Sequence, residues 1–212
     1  MAEAFKPHPF FARMWMRMSP RAEDRGVTEH RRELLAGLRG RVVELGCGNG
    51  LNFEHYPAEV DEVVAVEPEP TLRAAAEEAA GAARVPIRVV DAVADRLPDE
   101  DGAFDAAVVS LVLCSVPDQD AALAELRRVV RPGGELRFYE HVQARSRPMA
   151  SFLAFADKTF WPRVAGGCHP ARHTAEAIER AGFETESCRR FGFSPGPPVP
   201  RTPHILGRAR RA

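Results

Sequence analysis

Three groups of residues in this chain have types and spacing suited to chemistry: glycines behind an acid, carboxylates at strand ends, and scattered histidine and cysteine. The first is Glu44-Leu45-Gly46-Cys47-Gly48-Asn49-Gly50, directly on the apolar run Val42–Leu45. Glycines there let the backbone turn sharply and approach a ligand that a Cβ would block. In an open α/β sheet, the carboxyl end of the first strand is where a nucleotide-like ligand sits. A dinucleotide fingerprint would put its third glycine where this chain has Leu51, and the glycine stands at Gly50 instead. That spacing favours S-adenosylmethionine (SAM) over NAD, and Glu44 can help neutralise the α-ammonium of SAM, directly or through water.

Glu67 and Pro68 close the run Val63-Val64-Ala65-Val66, where a carboxylate can accept hydrogen bonds from both hydroxyls of a ribose. A 2′-phosphate would be repelled there. Ala94 and Asp95, before Leu97-Pro98, are placed to meet an adenine through a backbone amide and a carboxylate. Methyl transfer from a sulfonium is an in-line displacement that demands mainly positioning. A thiol acceptor reacts as its thiolate, which a base or nearby cation populates. His141, behind a predicted strand, is the candidate for that push, with a structural role around Glu140 as its alternative. Cys114 and Ser115 are candidate acceptor contacts, although a cysteine within Leu-Val-Leu-Cys also suits a buried apolar site. Cys168 and His169, between glycines and proline, suit a lid. Trp15 and Trp161 are further candidates for lining the pocket. No metal site is expected, because Cys47, Cys114, Cys168 and Cys188 lie far apart with no CxxC and no zinc-like Cys/His spacing.

Positioning these groups requires strands that end beside one another. From Arg41 onward, short Val/Ile/Leu-rich runs alternate with Ala/Glu/Arg-rich stretches of helical period, the pattern of a parallel sheet with helices on both faces. Predicted strands are Val42–Leu45, Glu62–Val66, Ile87–Val90, Ala106–Ser110 and Leu136–Tyr139. Leu72–Ala83 and Ala121–Val130 are predicted helices, the second opened by Asp118 as N-cap and closed at Pro132-Gly133-Gly134. Beyond Tyr139 the rhythm changes, and the aromatic Met149–Trp161 followed by Gly166-Gly167-Cys168-His169-Pro170 predicts an insert at about 145–171. A helix near Thr174–Ala181, ended by Gly182, precedes strands Glu184–Phe191 and His204–Gly207, with the proline-rich Ser194–Pro198 between them. Two late strands without an intervening helix predict an antiparallel edge hairpin. The stripe Phe10, Phe11, Met14, Trp15, Met18 has helical spacing and predicts a helix that packs on the core and covers the site. Residues 1–40 are therefore expected to form a helical cap on a domain spanning 41–212.

The chain of 212 residues fits this single domain. Its 29 Lys and Arg nearly balance 30 Asp and Glu, so no whole-molecule field steers it to phosphate backbones, and nucleic acid is not an expected partner. Arg13 and Arg17 interrupt the N-terminal apolar segment, which excludes a signal peptide or anchor of the usual kind there. Reduced thiols in a cytoplasm are expected. The Arg208/Arg210/Arg211 tail is expected to be solvated charge.

The sequence resembles the class I SAM-dependent methyltransferases: Glu44–Gly50 matches their first motif, Glu67 their ribose acid, Phe104-Asp105 the approach to their fourth strand, and Arg131–Gly134 the turn before the fifth. It is closer to one branch, the methyltransferase-like-seven proteins, which include animal alkyl-thiol S-methyltransferases. Leu111–Val116, Glu140-His141-Val142, and Trp161 with Gly167-Cys168 carry that likeness, with Asn52-Phe53, Tyr56-Pro57 and Pro203-His204-Ile205 in support. The resemblance implies a Rossmann-like, doubly wound seven-stranded α/β sheet, mostly parallel with an antiparallel edge hairpin. It further implies that Asn52 and the glycine loop hold SAM, and that Ser110 and Leu111 line its methionine. The expected acceptor is a small apolar molecule, preferentially a thiol. O-, N- or C-methylation of a lipophilic metabolite, or a non-catalytic SAM-binding partner role, stand as alternatives, with a nicotinamide enzyme weaker still. The animal enzymes begin with a membrane anchor not expected here, and His169 stands where those relatives are expected to carry asparagine.

Overall fold

The computed structural model describes residues 7–194, 196 and 201–212. Helix α1 (Pro9–Ala22) starts on a proline, tolerated where the N–H needs no partner, and bends through Glu23–Val27, where Gly26 has φ +106°, into α2 (Thr28–Leu35). There follow β1 (Gly40–Leu45), β2 (Val60–Val66), α3 (Pro70–Ala80), β3 (Ile87–Val90), β4 (Phe104–Ser110), α4 (Gln119–Val129) and β5 (Val130–His141). The chain ends in α5 (Arg147–Thr159), α6 (Trp161–Val164), α7 (Thr174–Arg180), β6 (Phe183–Phe193) and β7 (Thr202–Arg211).

The seven strands form one sheet in the order β3-β2-β1-β4-β5-β7-β6. β1 to β5 pair in parallel, whereas β7 runs antiparallel to both β5 and β6. The central strands carry apolar side chains on both faces because helices cover both. Val43, Val64, Val109 and Leu136 pack with α4 and α7 on one side. Val42, Val63, Val108 and Tyr139 pack with α2 and α3 on the other. The order reverses between β1 and β4, and a crevice at such a reversal is the ligand position of doubly wound sheets.

Asp118 caps α4 as expected, its carboxylate accepting from Ala121 N–H at 2.9 Å. Two expectations are corrected. Pro132-Gly133-Gly134 does not separate helix from strand: β5 starts at Val130, and the residues form an irregularity opposite Phe104–Ala106. The segment predicted as an insert folds as α5 and α6, ahead of the non-helical stretch Gly166–Pro170. The C-terminal arginines are not a free tail. They lie in β7, where Arg208 and Arg210 both pair with Glu186 and Arg211 donates to the Val130 carbonyl, because β7 is an interior strand whose side chains have neighbours on both sides. Of the expected proline-rich connection, Pro195, Pro197 and Pro198 lie outside the described residues.

Candidate active site

At the carboxyl end of β1 the chain turns through Gly46, Gly48 and Gly50, all at positive φ. The reason for glycine differs along the loop. A Cβ at Gly46 would stand 2.3 Å from Val112 Cγ2, and one at Gly50 would stand 2.8 Å from the Phe53 ring, so these two let neighbouring segments close in. At Gly48 the nearest atom would be Trp15 Nε1 at 3.6 Å, leaving that stretch of backbone open beside the indole. Asn49 Nδ2 donates to Ser19 Oγ at 3.2 Å, so α1 lies over the loop.

Beneath the loop, Glu44 is fully buried. Its two oxygens accept from Asn52 Nδ2 at 2.7 Å and Tyr56 Oη at 2.8 Å, and Arg31 donates to Asn52 Oδ1 at 2.8 Å. Burial pushes the Glu44 carboxyl above its ordinary range, against the pull of Tyr56, Asn52 and Arg31. Glu44 and Asn52 were expected to face a ligand. They bond to each other and to Tyr56 and Arg31, and so support the loop from below. The second acid, Glu67, accepts from Gly48 N–H and Glu69 N–H, both at 2.9 Å, and ties the glycine loop to the end of β2. Burial raises its carboxyl, with the two amides opposing. Arg73 donates to the carbonyls of Glu67 and Pro68. Ala94 is half-buried and Asp95 exposed beyond β3.

The end of β4 is built differently. Leu111 stands at φ +58°, the one non-glycine residue at positive φ among those described, a backbone state that other interactions must hold in place. Glu140 supplies them: wholly buried at the end of β5, it accepts from the N–H groups of Val112 and Leu113 at 2.9 Å and Cys114 at 3.2 Å. Burial lifts Glu140 to about 7 despite these donors. Sequence considered Glu140 only as a partner of His141. Its own signal was an acid between the buried Tyr139 and a histidine at a strand end. Ser110 Oγ is buried here without a partner among the described residues.

The same turn brings Cys114 to His141. His141 Nδ1 lies 3.7 Å from Cys114 Sγ and 3.7 Å from Cys168 Sγ. His169 N–H donates to the Cys114 carbonyl at 2.7 Å, which pins the insert to the β4 turn, and Phe11 of α1 packs against Gly166. Cys168 is held well below the ordinary thiol range by the hydrogen bond from Cys114 and then by His141, against burial. Cys114 moves the opposite way. Burial would lower His141, but Cys168 and Glu140 raise it. The His204 ring lies tilted beside His141 with centroids 4.3 Å apart, and its Nδ1–H donates to the Thr202 carbonyl. Burial first, and His141 second, push His204 down to about 3, so it is neutral. Ser115 Oγ lies 3.6 Å from Cys114 Sγ, Trp161 Nε1 is buried without a partner among the described residues, and the His169 ring turns to Asp157 at 3.2 Å.

A methyltransferase-domain family model matches residues 43–138. The chain is 35% identical over 180 residues to the mouse (Mus musculus) thiol S-methyltransferase TMT1B, covering 82% of this chain and 73% of that protein. It is 33% identical to the human (Homo sapiens) TMT1B across 94% of this chain and 85% of that one. The chain is a class I SAM-dependent methyltransferase of the branch that holds these relatives. A solved SAM-dependent methyltransferase of Thermotoga maritima shares its fold, with a TM-score of 0.70 at 19% identity over 95% of this chain and 97% of that one.

The residues fit SAM. The methyltransferase has an open glycine backbone at Gly48, a Glu67 carboxylate with lone pairs beyond those taken by two amides, and an unpartnered Ser110 hydroxyl at the adjoining strand end. Among the described residues no helix is long and apolar enough to cross a membrane.

Proposed function

We propose that this methyltransferase transfers the SAM methyl group to the sulfur of a small apolar thiol. The observation that carries the proposal is the meeting of the buried Cys114 and Cys168 with half-buried His141 at the ends of β4 and β5, in a chain whose relatives are thiol S-methyltransferases. When bound, SAM supplies an electrophilic methyl on a sulfonium. The protein has to orient that methyl, exclude water and present a thiolate. Gly48, Pro68, Ala94 and Asp95 flank the adenosine, Glu67 takes the ribose, and Ser110 and Leu111 turn the methionine toward the acceptor. Glu44 and Asn52 act on SAM through the loop they support.

His141 belongs to the acceptor step, as one member of a three-residue group. Helix α1 with Trp15, and the segment of about 145–171 with Trp161 and His169, form the acceptor's cover. The exposed Phe152 and Phe155 of α5 give that cover an apolar surface, which suits a greasy acceptor. The near balance of charge supports a small-molecule acceptor over nucleic acid. Four free cysteines fit a reducing compartment such as the cytoplasm.

A second acceptor class has an observation behind it. The demethylmenaquinone methyltransferase of Thermobifida fusca is 36% identical over 125 residues, 58% of this chain and 53% of that protein. The test is S-adenosylhomocysteine release from SAM with small alkyl thiols, matched alcohols and amines, and a soluble quinol. Turnover of thiols alone is expected. Turnover of the quinol alone replaces S-methylation by C-methylation.

A further inference from the structure

Spacing in sequence gave no metal site, yet the fold gathers two thiols and an imidazole. Cys114 follows β4, His141 ends β5 and Cys168 belongs to the covering segment. Their donor atoms all lie within 4.8 Å of one another. An ion with Zn–S near 2.3 Å and Zn–N near 2.0–2.1 Å in tetrahedral array sets its donors about 3.5–3.8 Å apart. Both Sγ–Nδ1 separations are 3.7 Å. Two thiolates and an imidazole select a soft or borderline cation and reject magnesium or calcium.

The surroundings fix the ligands as a metal site requires. Glu140 accepts from Cys114 N–H, the Cys114 carbonyl accepts from His169 N–H beside Cys168, and the His204 ring packs beside His141. Both sulfurs belong to buried residues. Three protein ligands leave one position of a tetrahedron, the arrangement of a catalytic rather than structural zinc site.

We propose that Cys114, His141 and Cys168 bind one zinc ion and that its fourth position takes the acceptor sulfur. The role of the fourth position rests on the thiol reading above; the metal site itself does not. The acceptor thiol enters that position and releases its proton to solvent. The zinc-held sulfur then uses a lone pair to form a bond to the methyl carbon as the sulfonium–methyl bond breaks, with that electron pair going to the departing sulfur. An anion and a cation become two neutral thioethers, and the methylated product, a poorer ligand, leaves.

The experiment uses the full chain, purified under a non-chelating reductant. Zinc content is measured after dialysis, and the spectrum after cobalt(II) replacement, for wild type, Cys114→Ser, Cys168→Ser and His141→Ala. SAM binding serves as the check of folding. The expected result is about one zinc per chain, thiolate-to-cobalt bands in wild type, and loss of stoichiometric metal in each variant that still binds SAM. A shift of those bands on adding an alkyl thiol supports the acceptor position. Absence of zinc with no cobalt bands overturns the proposal, as does metal retained unchanged in both serine variants. Thiol turnover at full rate in metal-stripped protein sinks the zinc role and leaves S-methylation standing. Metal bound by these three residues with no thiol turned over keeps the site and sinks the thiol reading instead.

Discussion

The two halves of the sheet's carboxyl edge hold their polar groups by different means. On the side of β1 and β2, the polar groups and the groups that support them lie 2 to 19 residues apart. Glu44 reaches Asn52 and Tyr56, and Glu67 reaches Gly48 and Glu69. On the side of β4 and β5, Cys114, His141 and Cys168 are each separated by 27 residues, and Glu140 reaches back 26 to 28 residues to the turn it holds. The first half is a local motif bound to a strand. The second exists only once three distant segments are in register, so changes to the two halves should fail differently.

The largest effect is expected in the cofactor half. Gly46→Ala forces a Cβ onto Val112 at positive φ, which combines overpacking with backbone strain at a cost of about 2–5 kcal/mol. Gly48→Ala meets only Trp15 and should cost about 1–2 kcal/mol, the left-handed penalty alone. Urea unfolding of the two variants checks the difference, and equal losses would mean that close approach is not why Gly46 is glycine.

Next in size, Glu140→Gln replaces an acceptor by an amide facing a backbone N–H of the β4 turn. A loss of about 1–3 kcal/mol is expected for the buried donor left unpaired. It should raise KM for the acceptor more than it weakens binding of SAM, which meets this turn only through Ser110 and Leu111. Tyr56→Phe is the counterpart in the other half: the loss of one hydrogen bond to buried Glu44 should cost a similar 1–3 kcal/mol and weaken SAM binding, with acceptor KM unaffected at saturating SAM. Calorimetric SAM titration beside steady-state kinetics would show whether the two halves separate in this way.

Glu67 gives a smaller and pH-dependent effect. Burial holds its carboxyl above the ordinary range, with Glu69 raising it further and Arg73 and the amides of Gly48 and Glu69 lowering it. In the proposed ribose role the ionised form is the one that accepts both hydroxyls, so SAM affinity should fall as pH is lowered from neutral toward that raised value. Folding stability from the same group runs the other way: a proton bound more readily by the folded state favours it as pH falls. Glu67→Gln should bind SAM more weakly at neutral pH and lose the slope, as titrations across about pH 5–7 would show. Smallest is Trp15→Ala, which removes the indole beside Gly48 for about 1 kcal/mol, a factor of about five in SAM affinity.

Most of the sheet was legible before the structure. Val42–Leu45 and Ile87–Val90 lie within or match their strands, and the Asp118 cap and the antiparallel β6–β7 pair stand as expected. The misreadings share a cause. Pro132-Gly133-Gly134 has turn composition, yet β4 pairs with Val130 before it and with Glu135 after it, so the strand runs on through an irregularity. Arg208, Arg210 and Arg211 have the composition of a tail, yet Glu186 on the neighbouring strand holds the first two. Composition reports what a segment tolerates, and neighbours decide what it does.

By itself the sequence determined the alternation of strand and helix, the glycine loop at the end of β1 and the acid at the end of β2, because hydrophobic period and short-range spacing are properties of the chain. Only the tertiary structure decided that Glu44 turns down into the protein and that Glu140 clamps the turn after β4. It also decided that Cys114, His141 and Cys168 meet. Those contacts join residues with no periodic relation in sequence, brought together by strand order, and strand order follows from packing the whole sheet.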